Sequence, residues 1–232
     1  MLRKTKIVGA GVFIFATSTI NAGFYGGVGI GSDTVDFTQR SLVSPISDGV
    51  HAVDFDVINK SHLSGTGVFG TLFVGFEKLY NKFYLAGEAN ANISSVTHTE
   101  YNHEFVHLNF ADTFIKMQNS VGLSVLPGFQ FTPNTLFYGR LGWTNSKIQQ
   151  RTGDLSLANF SVRRDGFRYG VGVKQAITDR VALRMDYSRI AYGSIQTATN
   201  DGIVPKTTQI TPNQQLVEFG VVINFDGNIS SK

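Results

Sequence analysis

From Ser120 to Trp143, apolar and polar positions alternate with period two on both sides of a tight polar turn, Thr132-Pro133-Asn134-Thr135. Val121, Leu123, Val125, Pro127, Phe129 and Phe131 share one face, and Ser120, Gly122, Ser124, Leu126, Gly128 and Gln130 share the other. Past the turn, Phe137, Leu141 and Trp143 oppose Tyr138, Arg140 and Gly142. One face is bulky and apolar; the other is small, polar or charged. That contrast predicts a hairpin of strands with lipid outside and a narrow polar lumen inside.

Six further segments repeat the alternation. Phe24 to Phe37 sets Gly27, Gly29 and Gly31 against Phe24, Val28 and Ile30. Val68 to Glu77 puts Val68, Leu72, Val74 and Phe76 outward. Phe83 to Ile93 carries Phe83, Leu85, Ala89 and Ile93 outside and Tyr84, Ala86, Glu88, Asn90 and Asn92 inside. Phe167 to Gln175 opposes Phe167, Tyr169, Val171 and Val173 to Arg168, Gly170, Gly172 and Lys174. Val181 to Arg189 opposes Val181, Leu183, Met185 and Tyr187 to Ala182, Arg184, Asp186 and Ser188. Gln215 to Phe225 aligns Val217, Phe219, Val221, Ile223 and Phe225, which leaves Glu218 on the inner face.

Short turns near 78–82, 132–135 and 177–180 alternate with long polar connections near 39–63, 97–113, 147–164 and 190–214. Strands of about ten residues are long enough to cross a bilayer when tilted. The pattern predicts an all-β protein, an eight-stranded antiparallel up-and-down transmembrane β-barrel with both termini on one side. In the first long connection Val53, Phe55 and Val57 also alternate, which leaves open a strand projecting beyond the membrane, or ten strands. A soluble lipocalin-type barrel also closes eight strands but turns its large apolar side chains inward. The Gly, Ser and Asn content of the polar face, where a soluble exterior would carry Lys and Glu, favours the membrane version. Phe83, Phe129, Phe131, Trp143 and Tyr187 near strand ends suit interfacial girdles.

The first residues change the compartment. MLRKTK is basic, Ile7 to Ile20 is uncharged and apolar or small, and Ala22 precedes Gly23. This reads as a signal peptide over 1–22, followed by a barrel over 23–225 and a short periplasmic tail over 226–232. No later stretch reaches the 18 apolar residues of a spanning helix, so an exported integral chain must be a closed barrel. Cysteine is absent, which removes disulfide frameworks and thiolate chemistry. The pI of about 9.1 misleads. Without Arg3, Lys4 and Lys6, the 20 Lys and Arg fall to 17, equal to the 17 Asp and Glu. No global positive field argues for nucleic acid.

FYGGVGIG near the start, LPGFQFTPNTLFYGRLGW, YGVGVKQAITDRVALRMDYSRI and a last strand closing on Phe225 resemble the OmpA-like small outer-membrane β-barrels. The resemblance spans nearly all of the expected mature chain. It implies an eight-stranded barrel folded by the outer-membrane assembly machinery, with Phe225 resembling the terminal aromatic of the assembly signal. It also implies inward ion pairs at Glu88, Lys174, Arg184 and Asp186. Two features depart from it: seven residues follow Phe225, and there is no room for a peptidoglycan-binding domain. Leu126 stands where some members place a lysine.

Candidate chemistry lies in the lumen, where Glu88, Arg140, Lys174, Arg184, Asp186 and Glu218 supply three acids and three bases. Eight strands enclose a space that side chains fill, and unpaired buried ions cost several kcal/mol, so these groups are expected to pair. A structural plug and a gated small-solute path are both compatible with the list. His103-Glu104-Phe105-Val106-His107 matches HExxH, but its neighbours alternate like a strand, which would hold the imidazoles about 13 Å apart. Gly65 to Gly70 matches GxGxxG, but TLFVGF continues as a strand where a helix is required. Neither motif supports a metal, cofactor or dinucleotide. His98, His103 and His107 share a rim connection without a nucleophile spacing, and His51 and His62 lie in the first long connection.

The sequence therefore predicts a non-enzymatic outer-membrane barrel, with long loops outside and a structural, surface-antigen or adhesin-like role. Its expected partners are outer-membrane lipid and lipopolysaccharide, the barrel assembly machinery and a host or surface ligand at the loops. A small pore or a lipid-modifying enzyme at the rim are the alternatives.

Overall fold

A computed structural model describes residues 21–43, 57–100, 113–152, 158–201 and 204–226. Ten strands follow one another: β1 (Asn21–Val43), β2 (Val57–Tyr80), β3 (Phe83–Ser94), β4 (Thr97–Glu100), β5 (Thr113–Thr132), β6 (Thr135–Thr152), β7 (Phe160–Ala176), β8 (Val181–Tyr192), β9 (Ile195–Asp201) and β10 (Val204–Asn224). They form one antiparallel ring of eight, β1-β2-β3-β5-β6-β7-β8-β10, closed by β10 on β1. The two extra segments prolong existing walls rather than widen the ring. β4 resumes β3 against β5, and β9 resumes β8 against β10. At each join five residues answer four on the partner: Ile93 to Thr97 face Asn119 to Lys116, and Ala191 to Ile195 face Asn213 to Ile210. Both are bulges, which bend the strand without ending its pairing.

Cross-strand partners traced once round the ring run Phe24, Phe76, Gly87, Val125, Leu141, Tyr169, Arg189, Gln215 and Thr34. The path returns to β1 ten residues beyond its start. With ordinary strand rise and spacing, that stagger over eight strands tilts each strand by about 40°. Each residue then climbs about 2.5 Å along the barrel axis.

The outer surface is apolar over a limited height. On β5 the outward series Phe131, Phe129, Pro127, Val125, Leu123 and Val121 is fully apolar and gives way to Asn119. On β6 Leu141 and Trp143 give way to Asn145, and on β2 Val68 gives way to Thr66. These outward runs cover seven to eleven residues and make a band up to about 25 Å tall, the height of a bilayer's hydrocarbon zone as barrels present it.

The strands outrun that band. β1 and β2 are 23 and 24 residues long, so both ends of the predicted first long connection, 39–43 and 57–63, are paired strand. The projecting-strand alternative is therefore the observed one, and the ring holds eight strands. Above the band the faces exchange character: Val35, Phe37, Ile115, Met117, Ile148, Ile195 and Ile210 point inward and are buried. Thr34, Thr38, Lys116, Gln149 and Thr211 point outward there. The barrel is lipid-facing below and packed like a soluble barrel above.

Candidate functional site

The lumen is filled in layers. Nearest the short turns lies an apolar cluster of Tyr25, Phe73, Tyr84, Ala86, Leu126, Leu136, Tyr138, Ala182 and Val222. Several of its rings fit only because a facing residue is glycine. A Cβ on Gly172 would stand 2.3 Å from Tyr138 Cζ, and one on Gly75 would stand 2.4 Å from Tyr25 Cζ. Those two tyrosines reach up to the next layer: Tyr25 donates to Glu88 Oε2 (2.9 Å) and Tyr138 to Asp186 Oδ2 (3.0 Å).

The middle layer is a charge-balanced network of three guanidiniums and three carboxylates. Arg140, on β6, donates from Nη1 to Glu88 Oε1 and from Nε to Asp186 Oδ2, each at 2.9 Å. Arg184, on β8, donates from Nη1 to Glu88 Oε2 (2.6 Å) and from Nη2 to Glu218 Oε1. Its guanidinium lies 3.6 Å above the centre of the Phe73 ring, the geometry of a cation–π contact. Arg168 donates from Nε to Ser188 Oγ (3.0 Å), and its Nη2 lies 3.6 Å from Asp186 and 3.7 Å from Glu218. All six side chains are buried, so each ion depends on the others.

Five of the six expected lumen residues meet in this network. Lys174 is inside too, but nearer the short turns, where it donates to Glu77 Oε2 (2.5 Å) and approaches the Tyr25 and Tyr84 rings. Glu77 also accepts from Tyr84 (2.8 Å) and Asn224 (3.0 Å). Sequence reasoning missed Arg168 and Glu77 as members, although both have inward parity on their strands. It also missed Asp33, buried two residues beyond Gly31, whose carboxylate accepts from Ser94 (2.5 Å) and from Gln214 (2.9 and 2.8 Å). Asp33 borders a cavity of about 10 Å³ lined also by Asn92, Ser120 and Ser146, about the volume of one water molecule.

Above this polar layer the lumen closes on a second apolar cluster, with Val35, Phe37, Phe69, Val96, Ile115, Met117, Ile148, Ile190 and Leu216 among its members. A uniformly polar lumen was expected, and this half departs from it. The residues are predominantly β-branched or aromatic and pack across a barrel that no longer faces lipid.

The expected interfacial aromatics all point outward. Phe83 and Phe129 stack edge to face at 5.9 Å beside the short turns, and Phe131 meets Phe137 at 6.1 Å. Trp143 ends the apolar run of β6 and donates from Nε1 to Asp165 Oδ1 (3.1 Å). Tyr187 is the last aromatic on β8 before Arg189 and donates to Gln215 (3.3 Å). Phe225 is outward at the seam, where its N–H donates to Phe24 O (3.0 Å) and its ring covers Gly26. His103 and His107 lie outside the described residues, as do Val53 and Phe55. His98 is described, with Nδ1 2.8 Å from Ser64 O, and the GxGxxG segment lies within β2.

A closed antiparallel ring with a greasy belt outside and paired ions within defines a membrane-spanning barrel. The chain belongs to the outer membrane protein beta-barrel domain family, whose sequence model matches residues 8–225, and it is an integral outer-membrane β-barrel protein. No curated protein shows significant sequence similarity to it. Among solved structures it is similar to OprG of Pseudomonas aeruginosa, at 13% identity and TM-score 0.45 over 86% of this chain and 95% of that one. It is also similar to Neisserial surface protein A, at 16% identity and TM-score 0.39 over 88% and 99%. A third is Ail, the attachment invasion locus protein of Yersinia pestis, at 15% identity and TM-score 0.35 over 84% and 98%.

Proposed function

We propose that the protein is a non-conducting, non-enzymatic outer-membrane barrel that acts through its projecting strands and long connections at the cell surface. The observation that carries this reading is the filled lumen. Ions paired around Arg140 are covered by apolar side chains toward both openings, and the lumen cavity bordered by Asp33 is the size of one water. A solute path would need Phe37, Ile148 and their neighbours to leave a packed core. The projecting strands favour a contact role, because β1 and β2 continue paired well past the apolar band and lift their connection away from the bilayer.

In this reading residues 1–22 are removed on export, both ends of the barrel lie in the periplasm and 226–232 form a tail there. Phe225 serves the assembly machinery as the closing aromatic. Purified protein in planar bilayers is expected to give no current steps above the lipid baseline, and protease added to intact cells is expected to cut the long connections only. Reproducible steps that disappear with Arg184→Ala would overturn the closed lumen, and cleavage at the short turns would overturn the orientation.

A further inference from the structure

Immediately above the apolar band, the outer surface carries four cations on three adjacent strands. Lys147 on β6 pairs directly with Arg163 on β7, and Lys116 on β5 pairs with Gln149, two residues beyond Lys147. Arg151 follows two residues later on β6. Lys116, Arg151 and Arg163 are exposed and Lys147 half-buried, and all four point outward. Direct cross-strand neighbours have Cβ atoms about 5 Å apart and diagonal ones about 7–8 Å, so the four form one continuous patch.

Two like charges placed directly opposite on a sheet repel, and a barrel that carries them gains if an anion lies between. Among the described residues, none of the four has an ion-pair partner. Asp165, the nearest outward acid, is turned to Trp143 Nε1 (3.1 Å) and Asn145 Nδ2 (2.8 Å). Asn145 in turn accepts from Arg163 Nη1 (3.0 Å), so the patch is hydrogen-bonded down to the last aromatic of the band. Elsewhere at this height the outward residues are mostly uncharged, such as Thr34, Thr38, Ser64, Thr66, Thr211 and Asn213.

Height selects the anion. Lys147 is four residues beyond Trp143 and Arg163 is four beyond Phe167, about 10 Å above those rings along the axis. Long basic side chains reach back toward the membrane edge from such positions. That level is where the headgroups of the surrounding leaflet begin, and phosphate there is held by Lys and Arg through charge-assisted hydrogen bonds.

We infer that Lys116, Lys147, Arg151 and Arg163 form a binding site for the phosphate-bearing headgroup of a lipid in the leaflet on the long-strand side. The inference rests on the orientation proposed above and names the lipid contact of that surface. The test refolds full-length protein into phosphatidylcholine nanodiscs containing a bisphosphorylated glycolipid or its dephosphorylated form, extracts with mild detergent and counts glycolipid retained per barrel. Lys147→Gln/Arg163→Gln is compared with wild type, and Lys82→Gln at the opposite rim is the control.

Wild type and the control are expected to retain about one bisphosphorylated lipid per barrel, and the double variant at least tenfold less. The dephosphorylated lipid should be retained equally poorly by all three. Trp143 emission should shift on adding the phosphorylated lipid to wild type and to the control, and stay unchanged in the double variant. Equal retention by wild type and double variant, or equal retention of both lipids, would overturn the site. So would binding of soluble heparin at the patch in preference to the lipid. Folding is scored separately by gel mobility without boiling, so a null result from folded protein counts against this patch and leaves the closed-lumen reading intact.

Discussion

Arg140→Met removes a guanidinium that holds two carboxylates at 2.9 Å each, and its side chain is wholly inaccessible to solvent. The variant leaves Glu88, Asp186 and Glu218 facing only Arg168 and Arg184 in that layer. Breaking a buried pair by deleting one partner costs about 3–5 kcal/mol, because a charge stays buried without compensation. Here the lower end applies. Glu88 keeps Arg184 and Tyr25, and Asp186 keeps Tyr138, so neither carboxylate is stranded entirely. A loss of about 3 kcal/mol corresponds to roughly a hundredfold shift in the folding equilibrium. Adding Asp186→Leu restores two bases to two acids and should recover about 1 kcal/mol or more, since an apolar replacement of a whole buried pair is often neutral or stabilising. Urea-dependent folding into phosphatidylcholine vesicles measures both, read by emission of Trp143, the single tryptophan, and by mobility on unboiled gels. A single-variant loss below about 1 kcal/mol, the worth of an exposed pair, would refute the buried network. So would a double variant less stable than Arg140→Met alone.

The same urea assay checks three further expectations. Gly172→Ala drives a Cβ into the Tyr138 ring at 2.3 Å and should cost about 1–3 kcal/mol, whereas Gly87→Ala points into open space outside and should fall between neutral and a gain of about 0.4–1 kcal/mol. The reverse ranking would mean that the two faces are assigned backwards. Leu123→Arg, in the middle of the outer band, should cost about 2–4 kcal/mol, and Asn145→Arg, just beyond its edge, about 0–1 kcal/mol; equal costs would contradict the placement of the bilayer. Ile148→Ala, in the packed outer half of the lumen, should cost about 2–5 kcal/mol, and a near-neutral result would indicate water where the core is described.

Parity made most of the membrane-spanning half legible in the sequence. Once Phe129 and Phe131 are assigned to the lipid side, period two carries Arg140, Arg184, Asp186 and Glu218 inward, and all four meet. What parity does not carry is height. Arg168 and Lys174 share a face of β7, but six residues of tilted strand separate them by about 15 Å along the axis, so only Arg168 reaches Asp186 while Lys174 finds Glu77. The extent of the strands was illegible for a different reason. Gln39, Arg40 and Ser41 read as loop because bulky outward residues mark only the lipid-facing part of a strand, and above the bilayer the bulky residues face in. Gly27, Gly75 and Gly172 are small because Phe73, Tyr25 and Tyr138 lie across them, a pairing between strands that no single segment displays.

The exchange of faces along one strand bears on what holds the barrel together. Below, removing water from the outer surface depends on lipid, and the lumen contributes paired ions whose net gain is small once their desolvation is counted. Above, Val35, Phe37, Ile115, Met117, Ile148 and Ile210 are removed from water by one another, at about 1.5–3 kcal/mol for each large apolar side chain. That half buries its apolar side chains without help from lipid, which favours keeping strands as long as β1 and β2 paired beyond the bilayer instead of fraying into loop. The soluble-barrel alternative and the membrane-barrel reading thus describe two ends of the same eight strands. The polar layer around Asp33 lies where the inward side chains change from one regime to the other, with Gln214 on the neighbouring β10 and Ser94 on β3 satisfying a carboxylate for which no base is in reach among the described residues.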